Sequence, residues 1–166
     1  MELENDTKVI LISSDGETIE TSAKAAMRST IIKDSIQDSR EDIIEFNANN
    51  VKGNILKKIV EYLEHYKDAE PKEIERPLPS PNFKECVEEW DFNYIDIYLD
   101  EIFEIILAAN YLDIKPLLEL SSAKVASIIK GKTIEEIRQT FGITNEFTPE
   151  EEQQIIEENK WCMENL

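Results

Sequence analysis

The stretch that decides the fold runs from Leu99 to Leu112 and reads LDEIFEIILAANYL. Apolar side chains fall on nearly every side of a helix built from it, which predicts a buried central helix. The next stretch, Ile114–Ile129, predicts a second helix. Pro116 lies in its first turn, where a missing N–H costs little. We therefore expect the core to form around this pair of helices.

Upstream of this pair, the sequence predicts three short strands. Lys8–Ser13 holds the apolar run Val-Ile-Leu-Ile, and Glu17–Thr21 follows it across Ser14-Asp15-Gly16, a combination typical of a hairpin. Glu41–Phe46 is the third candidate strand. Because the strands all lie in the first third of the chain, the expected fold class is α+β rather than an alternating parallel-sheet fold.

Before Leu99, the sequence predicts three more helices and one long loop besides the strands. Ala23–Met27 and Ser29–Gln37 predict short helices, and Gly53–Tyr66 predicts an amphipathic one with apolar residues at helical spacing. The segment Lys67–Cys86 holds four of the six prolines and is otherwise mostly charged. It is predicted to be a loop or disordered insertion outside the core, flexible near 68–86, with order resuming around Trp90.

The last thirty-odd residues predict two short helices with clear caps. Thr133-Ile-Glu-Glu136 is a capping box and Gly142 ends that helix, while Thr148-Pro149-Glu150-Glu151 begins a helix that runs to about Asn159. Helices this short are marginal in water, so they must pack on something. They either fold back on Leu99–Ile129 or leave an apolar groove for a partner's helices. The apolar residues concerned are Ile134, Ile137, Phe141, Ile143, Phe147, Ile155, Ile156 and Trp161.

Charge and cysteine content restrict the classes of partner and compartment. The 166 residues include 36 Asp and Glu but only 18 Lys and Arg, a net charge of −18, which repels phosphate backbones and anionic membranes. We therefore expect no direct binding to nucleic acid and none to membranes; the acidity serves either solubility or attraction to a basic partner. With no signal peptide or membrane span expected, the two unpatterned cysteines, Cys86 and Cys162, indicate a reducing compartment.

The residues offer little for catalysis or metal binding. The single histidine, His65, is predicted to be a surface or packing residue, and two Cys with one His make no zinc pattern. Gly131-Lys132-Thr133 mimics the end of a phosphate loop, but Ala126 stands where that loop needs glycine. No metal and no cofactor are expected, and an enzyme that uses an acidic pair is the least favoured hypothesis.

Several motifs together resemble one family. The stretch 105–118, IILAANYLDIKPLL, is followed by IKGKT at 129–133, TFGI at 140–143, FTPEEE at 147–152 and NKWC at 159–162. The start, VILISSDGE at 9–17, and the pair Trp90-Asp91 match as well. In these residues the chain closely resembles the Skp family, the S-phase kinase-associated adaptors of Skp–cullin–F-box ubiquitin ligases.

This resemblance implies a fold, two partners and a non-catalytic role. A BTB/POZ-type domain is expected over 1–129 and a C-terminal helical extension over 130–166, with cullin on the former and F-box receptors on the latter. The adaptor would position a receptor without catalysing any step. The positions that resemble cullin contacts are Asn110 and Tyr111. The positions that resemble F-box contacts are Ile102, Ile106, Val125, Phe141, Ile143, Asn145 and Trp161.

The residues are also compatible with a second function. A scaffold role in another assembly that contains F-box proteins, such as a kinetochore complex, is the alternative function. Without a partner, the exposed apolar surface would favour a weak homodimer. The expected locations of the protein are the cytoplasm and the nucleus.

Overall fold

The computed structural model describes residues 8–37, 43–144 and 147–160. Within them the chain forms three strands, eight α-helices and one 3₁₀ turn at Phe83–Glu85. The strands are β1 (Lys8–Ser13), β2 (Thr18–Ser22) and β3 (Ile43–Ala48). The helices are α1 (Ala23–Ala26), α2 (Thr30–Gln37), α3 (Gly53–His65), α4 (Glu89–Ile95), α5 (Leu99–Tyr111), α6 (Lys115–Ile129), α7 (Ile134–Phe141) and α8 (Pro149–Glu158).

The three strands form one small sheet in the order β2-β1-β3. β1 pairs antiparallel with β2, with Leu11 opposite Ile19, and parallel with β3, with Leu11 opposite Phe46. The predicted first strand is confirmed, and the second begins and ends one residue later than predicted. The predicted end of the third strand at Phe46 was wrong, because pairing with β1 continues through Ala48; residues 41 and 42 lie outside the described ranges.

The core lies between the sheet and the helices α3, α5 and α6. α5 packs against both α3 and α6. On α3 the amphipathic pattern predicted from sequence places Ile55, Leu56 and Ile59 in the interior. Burial of each such aliphatic side chain stabilises the fold by about 1.5–3 kcal/mol. The helix predictions for this region are confirmed to within a residue at either end.

Helix α4 is packed onto α3 through aromatic rings. Trp90 and Tyr94 of α4 contact Tyr62 of α3, and the Tyr66 hydroxyl donates to the buried Asp91 carboxylate at 2.7 Å. Burial raises the pKa of Asp91, although the hydrogen bond from Tyr66 acts in the opposite direction. The sequence predicted renewed order near Trp90 but not helix α4. This helix is held by contacts with α3, which lies more than twenty residues earlier in the sequence.

The proline-bearing segment between α3 and α4 contributes to the core, so the expectation that it lies outside was wrong. Phe83 is buried and Ile74 packs against the core. Ion pairs join Glu70 to Arg28 and Arg76 to Glu119. The predicted flexibility of 68–86 stays a prediction.

The chain divides into two compact units, residues 1–130 and 131–166. In the second unit both predicted capping boxes are confirmed: Thr133 and Glu136 begin α7, and Thr148 and Glu151 begin α8. Gly142 ends α7 in the left-handed conformation, at φ 62°. Arg138 of α7 and Glu152 of α8 are joined by an ion pair of 2.9 Å.

Candidate partner-binding site

The outer side of α5 carries exposed apolar side chains. Phe103, Leu107 and Asn110 follow the i, i+4, i+7 spacing that places residues on one side of a helix. Leu107 is 70% exposed, and Phe103 is also exposed. The helix predicted to be buried is therefore buried on one side only, because α3 and α6 cover only part of its circumference.

The two residues predicted to contact a cullin lie at the C-terminal end of this exposed side. Asn110 is exposed, while Tyr111 is half-buried and packs against the core. Phe103 and Leu107 were missed as site residues. Their spacing to Asn110 was the available signal, but a helix with apolar residues on every side does not reveal which side is left uncovered.

Three of the residues predicted to contact an F-box lie on α5 and α6. Ile102 is only 1% exposed and packs in the core, so its side chain is not available to a partner in this structure. Ile106 on α5 and Val125 on α6 are half-buried at the edge of the core. Because α5 and α6 pack against each other, these two positions belong to one helical pair. Their role in binding stays a prediction.

The C-terminal unit carries the other predicted F-box positions. Phe141 is half-buried at the end of α7, and Ile143, just beyond it, is 56% exposed. Asn145 and Trp161 lie outside the described residues. Further exposed apolar side chains in this unit were not among the predicted contacts, although the sequence pattern had marked them as apolar. They are Ile134, Phe147, Ile155 and Ile156.

Several polar groups of the C-terminal unit cap its helices. The backbone amide of Thr133 donates to Glu136 at 2.8 Å, and that of Thr148 donates to Glu151 at 2.9 Å. These backbone hydrogen bonds, with help from the threonine hydroxyls, lower the pKa of both carboxyls. The unit therefore combines firmly capped helix starts with exposed aliphatic side chains, an arrangement suited to packing against other helices.

The histidine singled out from the sequence lies in the aromatic cluster. The His65 ring stacks on Trp90, with 3.6 Å between ring centroids. Burial raises the pKa values of Tyr62 and Tyr94 in the same cluster. Within the described ranges there is no group of three or more His, Cys, Asp and Glu side chains that could hold a metal ion. None of the described helices is long and apolar enough to cross a membrane.

Comparisons with known protein families place the chain in one family. The family model described as "Skp1 family, tetramerisation domain" matches residues 7–68. The model described as "Skp1 family, dimerisation domain" matches residues 115–162. The predicted α+β fold, a BTB/POZ-type domain followed by C-terminal helices, is confirmed.

Whole-length relatives agree with the family models. The chain is 54% identical over 160 residues to the S-phase kinase-associated protein 1 homolog of Tetrahymena thermophila, with 95% of each chain covered. It is 43% identical over 157 residues to the E3 ubiquitin ligase complex SCF subunit sconC of Arthroderma benhamiae, covering 95% of this chain and 96% of that one. It is 42% identical over 157 residues to the suppressor of kinetochore protein 1 of Schizosaccharomyces pombe, covering 94% and 98%. The chain belongs to the Skp1 family.

Proposed function

We propose that this chain is the non-catalytic adaptor that joins a cullin to F-box receptors in a Skp–cullin–F-box ubiquitin ligase. The observation that carries the proposal is the set of exposed aliphatic side chains on the capped helices α7 and α8. Similarity over 95% of the chain to a relative named as a subunit of such a ligase supports it. The kinetochore role is less favoured, since it is suggested by the name of one relative among those compared.

The F-box receptor is proposed to bind where apolar surface is left uncovered at the C-terminal end. Ile155 and Ile156 are 42% and 48% exposed, and their burial by a partner's helices would stabilise a complex. Each Å² of apolar surface removed from water contributes about 25 cal/mol, from which the costs of association are subtracted. Trp161 and Asn145 resemble F-box contact positions, and Trp161→Ala is expected to cost about 2 kcal/mol or more of binding, as the loss of an aromatic anchor does.

The cullin is proposed to bind the outer side of α5. Phe103, Leu107 and Asn110 provide an apolar surface with one amide for orientation, and Tyr111 borders it. This surface belongs to residues 1–130, whereas α7 and α8 belong to residues 131–166. Two separate surfaces of this kind allow one adaptor to hold a constant scaffold while its receptors are exchanged.

The proposed role carries no catalytic step of its own. The receptor would hold the substrate, and the adaptor would set where that substrate lies relative to the rest of the ligase. We place the protein in the cytoplasm and nucleus, which localisation of the tagged full chain by microscopy would test. Self-association through the exposed apolar surface is proposed for the unbound chain, and sedimentation with and without an F-box segment tests it.

The decisive experiment measures the two binding events separately in the full chain. Replacement of Ile155 and Ile156 by Ser should weaken binding of an F-box segment by about tenfold or more, because two half-exposed anchors are lost. Binding of a cullin N-terminal fragment should be unchanged. Leu107→Ser should do the reverse, weakening the cullin and sparing the F-box segment. Calorimetric titration measures both.

A matched pair on the same helix, Gln153→Ser with Glu157→Ser, controls for changes to exposed positions of α8. It should leave both affinities within about twofold. If Leu107→Ser and the double isoleucine variant each weakened both partners equally, two separate surfaces would be ruled out. If no F-box segment bound the folded wild-type chain, the adaptor role itself would be wrong.

A further inference from the structure

A short segment before α4 lies across one flank of α6. We call residues 74–78 the strap. Arg76 of the strap forms an ion pair of 2.7 Å with Glu119 of α6. At the other end of the helix, the Lys130 ammonium donates to the backbone carbonyl of Leu78. Ile74 packs against the core. The strap is thus attached near the N-terminal end of α6, at Glu119, and just beyond its C-terminal end, at Lys130.

These attachments are weak. Arg76 and Glu119 are 70% and 46% exposed, and ion pairs with that much solvent contact contribute little. Within residues 71–81, no backbone amide donates to a backbone carbonyl of another described residue. A cavity of about 660 Å³ remains between the strap and α6, so the two are not closely packed. Segments with few backbone hydrogen bonds and loose packing open at low cost.

The strap lies along a side of α6 that borders Val125, one of the positions that resemble receptor contacts. Leu118 and Ser122 line the cavity beneath the strap. Val125 follows Leu118 by seven residues, almost two helical turns, and so lies on the same side of the helix. A receptor helix that approached Val125 along this side would meet the strap.

We propose that the strap is an autoinhibitory contact that must leave the flank of α6 before an F-box receptor can seat. This inference rests on the proposed function and on the resemblance of Val125, on α6, to an F-box contact position. The apparent dissociation constant then equals the intrinsic one divided by the fraction of molecules with the strap open. Any change that loosens the strap without touching the receptor raises that fraction and tightens binding.

A charge exchange across the Arg76–Glu119 pair tests this in the full chain. Arg76→Glu and, separately, Glu119→Arg convert attraction into repulsion and should each tighten binding of an F-box segment about two- to fivefold. The double variant restores the pair and should return to the wild-type affinity. Lys72→Glu is the matched control, because it makes the same charge change at an exposed position two residues before the strap. It should leave the affinity unchanged.

The position of the strap is measured directly by nuclear magnetic resonance. The methyl signals of Ile74 should move to those of a freely exposed side chain as the F-box segment saturates the wild-type chain. Arg76→Glu should shift them part of the way without any partner. Cullin binding provides a further readout, which the strap variants should not change.

The possible outcomes separate the two proposals. If the wild-type chain binds an F-box segment but the single variants bind equally well or more weakly, the strap is not inhibitory and only this inference falls. Unchanged Ile74 signals on receptor binding overturn it as well. If neither wild type nor variants bind any F-box segment, the proposed function falls. Binding by Arg76→Glu alone would support both.

Discussion

At the scale of single residues, Glu64 shows how one carboxylate joins α3 to the sheet. It accepts hydrogen bonds from the Thr21 hydroxyl at 2.7 Å and from the Ser22 amide at 2.8 Å, and it pairs with Lys67 at 3.0 Å. Partial burial pushes its pKa upward, but the Ser22 amide, the two hydroxyls and Lys67 prevail and lower the pKa to about 2. The ionised form is therefore favoured by folding.

The lowered pKa of Glu64 predicts the direction of a pH effect. A carboxyl whose pKa falls on folding contributes stability that is complete above its ordinary pKa of 4.5 and is lost as the pH falls toward 2. Because the side chain is 32% exposed, we expect only about 1–2 kcal/mol rather than the full linkage value. Glu64→Gln should lower the free energy of unfolding by that amount at pH 7, measured by urea denaturation.

The comparison across pH provides the check on this prediction. The difference between Glu64→Gln and wild type should shrink between pH 4.5 and 2, because the wild-type carboxyl becomes neutral over that range. Glu61→Gln, at an exposed position of the same helix, should change the free energy of unfolding much less. A difference that stayed constant from pH 7 to pH 2 would show that the charge of Glu64 does not matter.

At the scale of elements, α8 depends on its cap. It spans ten residues, and isolated helices of that length are marginal in water. The Thr148 hydroxyl accepts from the Glu151 amide at 3.3 Å, while the Glu151 carboxylate accepts from the Thr148 amide. Three acidic residues in the first turn add a favourable interaction with the helix dipole. Local chemistry thus supplies much of what holds this helix.

Removal of the cap should therefore loosen α8 without touching the core. Thr148→Ala is expected to destabilise the helix by about 1 kcal/mol, because the Glu151 amide loses its acceptor. Hydrogen exchange of amides in residues 152–158 should speed up about fivefold, while amides of α3 are unaffected. Thr148→Ser keeps the hydroxyl and should restore slow exchange. Equal acceleration in the alanine and serine variants would mean that the cap is not what stabilises α8.

At the scale of the whole molecule, the charge of −18 works against the folded state. Excess negative charge repels itself more strongly in a compact chain than in an expanded one. Salt shortens the range of that repulsion, with a screening length of about 10 Å at 0.1 M. We therefore expect the melting temperature to rise as sodium chloride is increased from about 0.02 M to about 0.5 M.

A variant with fewer acids isolates the cause of this salt effect. Glu45, Glu73 and Glu157 are exposed, and replacing all three by Gln lowers the excess negative charge with little effect on packing. The variant should melt at a higher temperature in low salt and should gain less from added salt, as measured by calorimetry. A melting temperature of the wild-type chain that fell with added salt would contradict self-repulsion as a significant cost.

Features that depend on neighbouring residues in the chain could be predicted from the sequence. The capping boxes at Thr133 and Thr148, the stop at Gly142 and the amphipathic helix α3 are decided by chemistry within a few residues. The motifs shared with the Skp family were equally readable, because they are strings of adjacent residues. The sequence by itself therefore determined the class of fold, the order of most elements and the family.

Only the tertiary structure decided which surfaces are left open. Leu107 is exposed and Ile102 is buried although both are apolar residues of one helix, because α3 and α6 cover one side of α5 and not the other. The strap is attached to α6 through pairs separated by 43 residues or more in sequence, such as Arg76 with Glu119. Burial and pairing of this kind depend on how distant elements pack, which no local pattern of residues encodes.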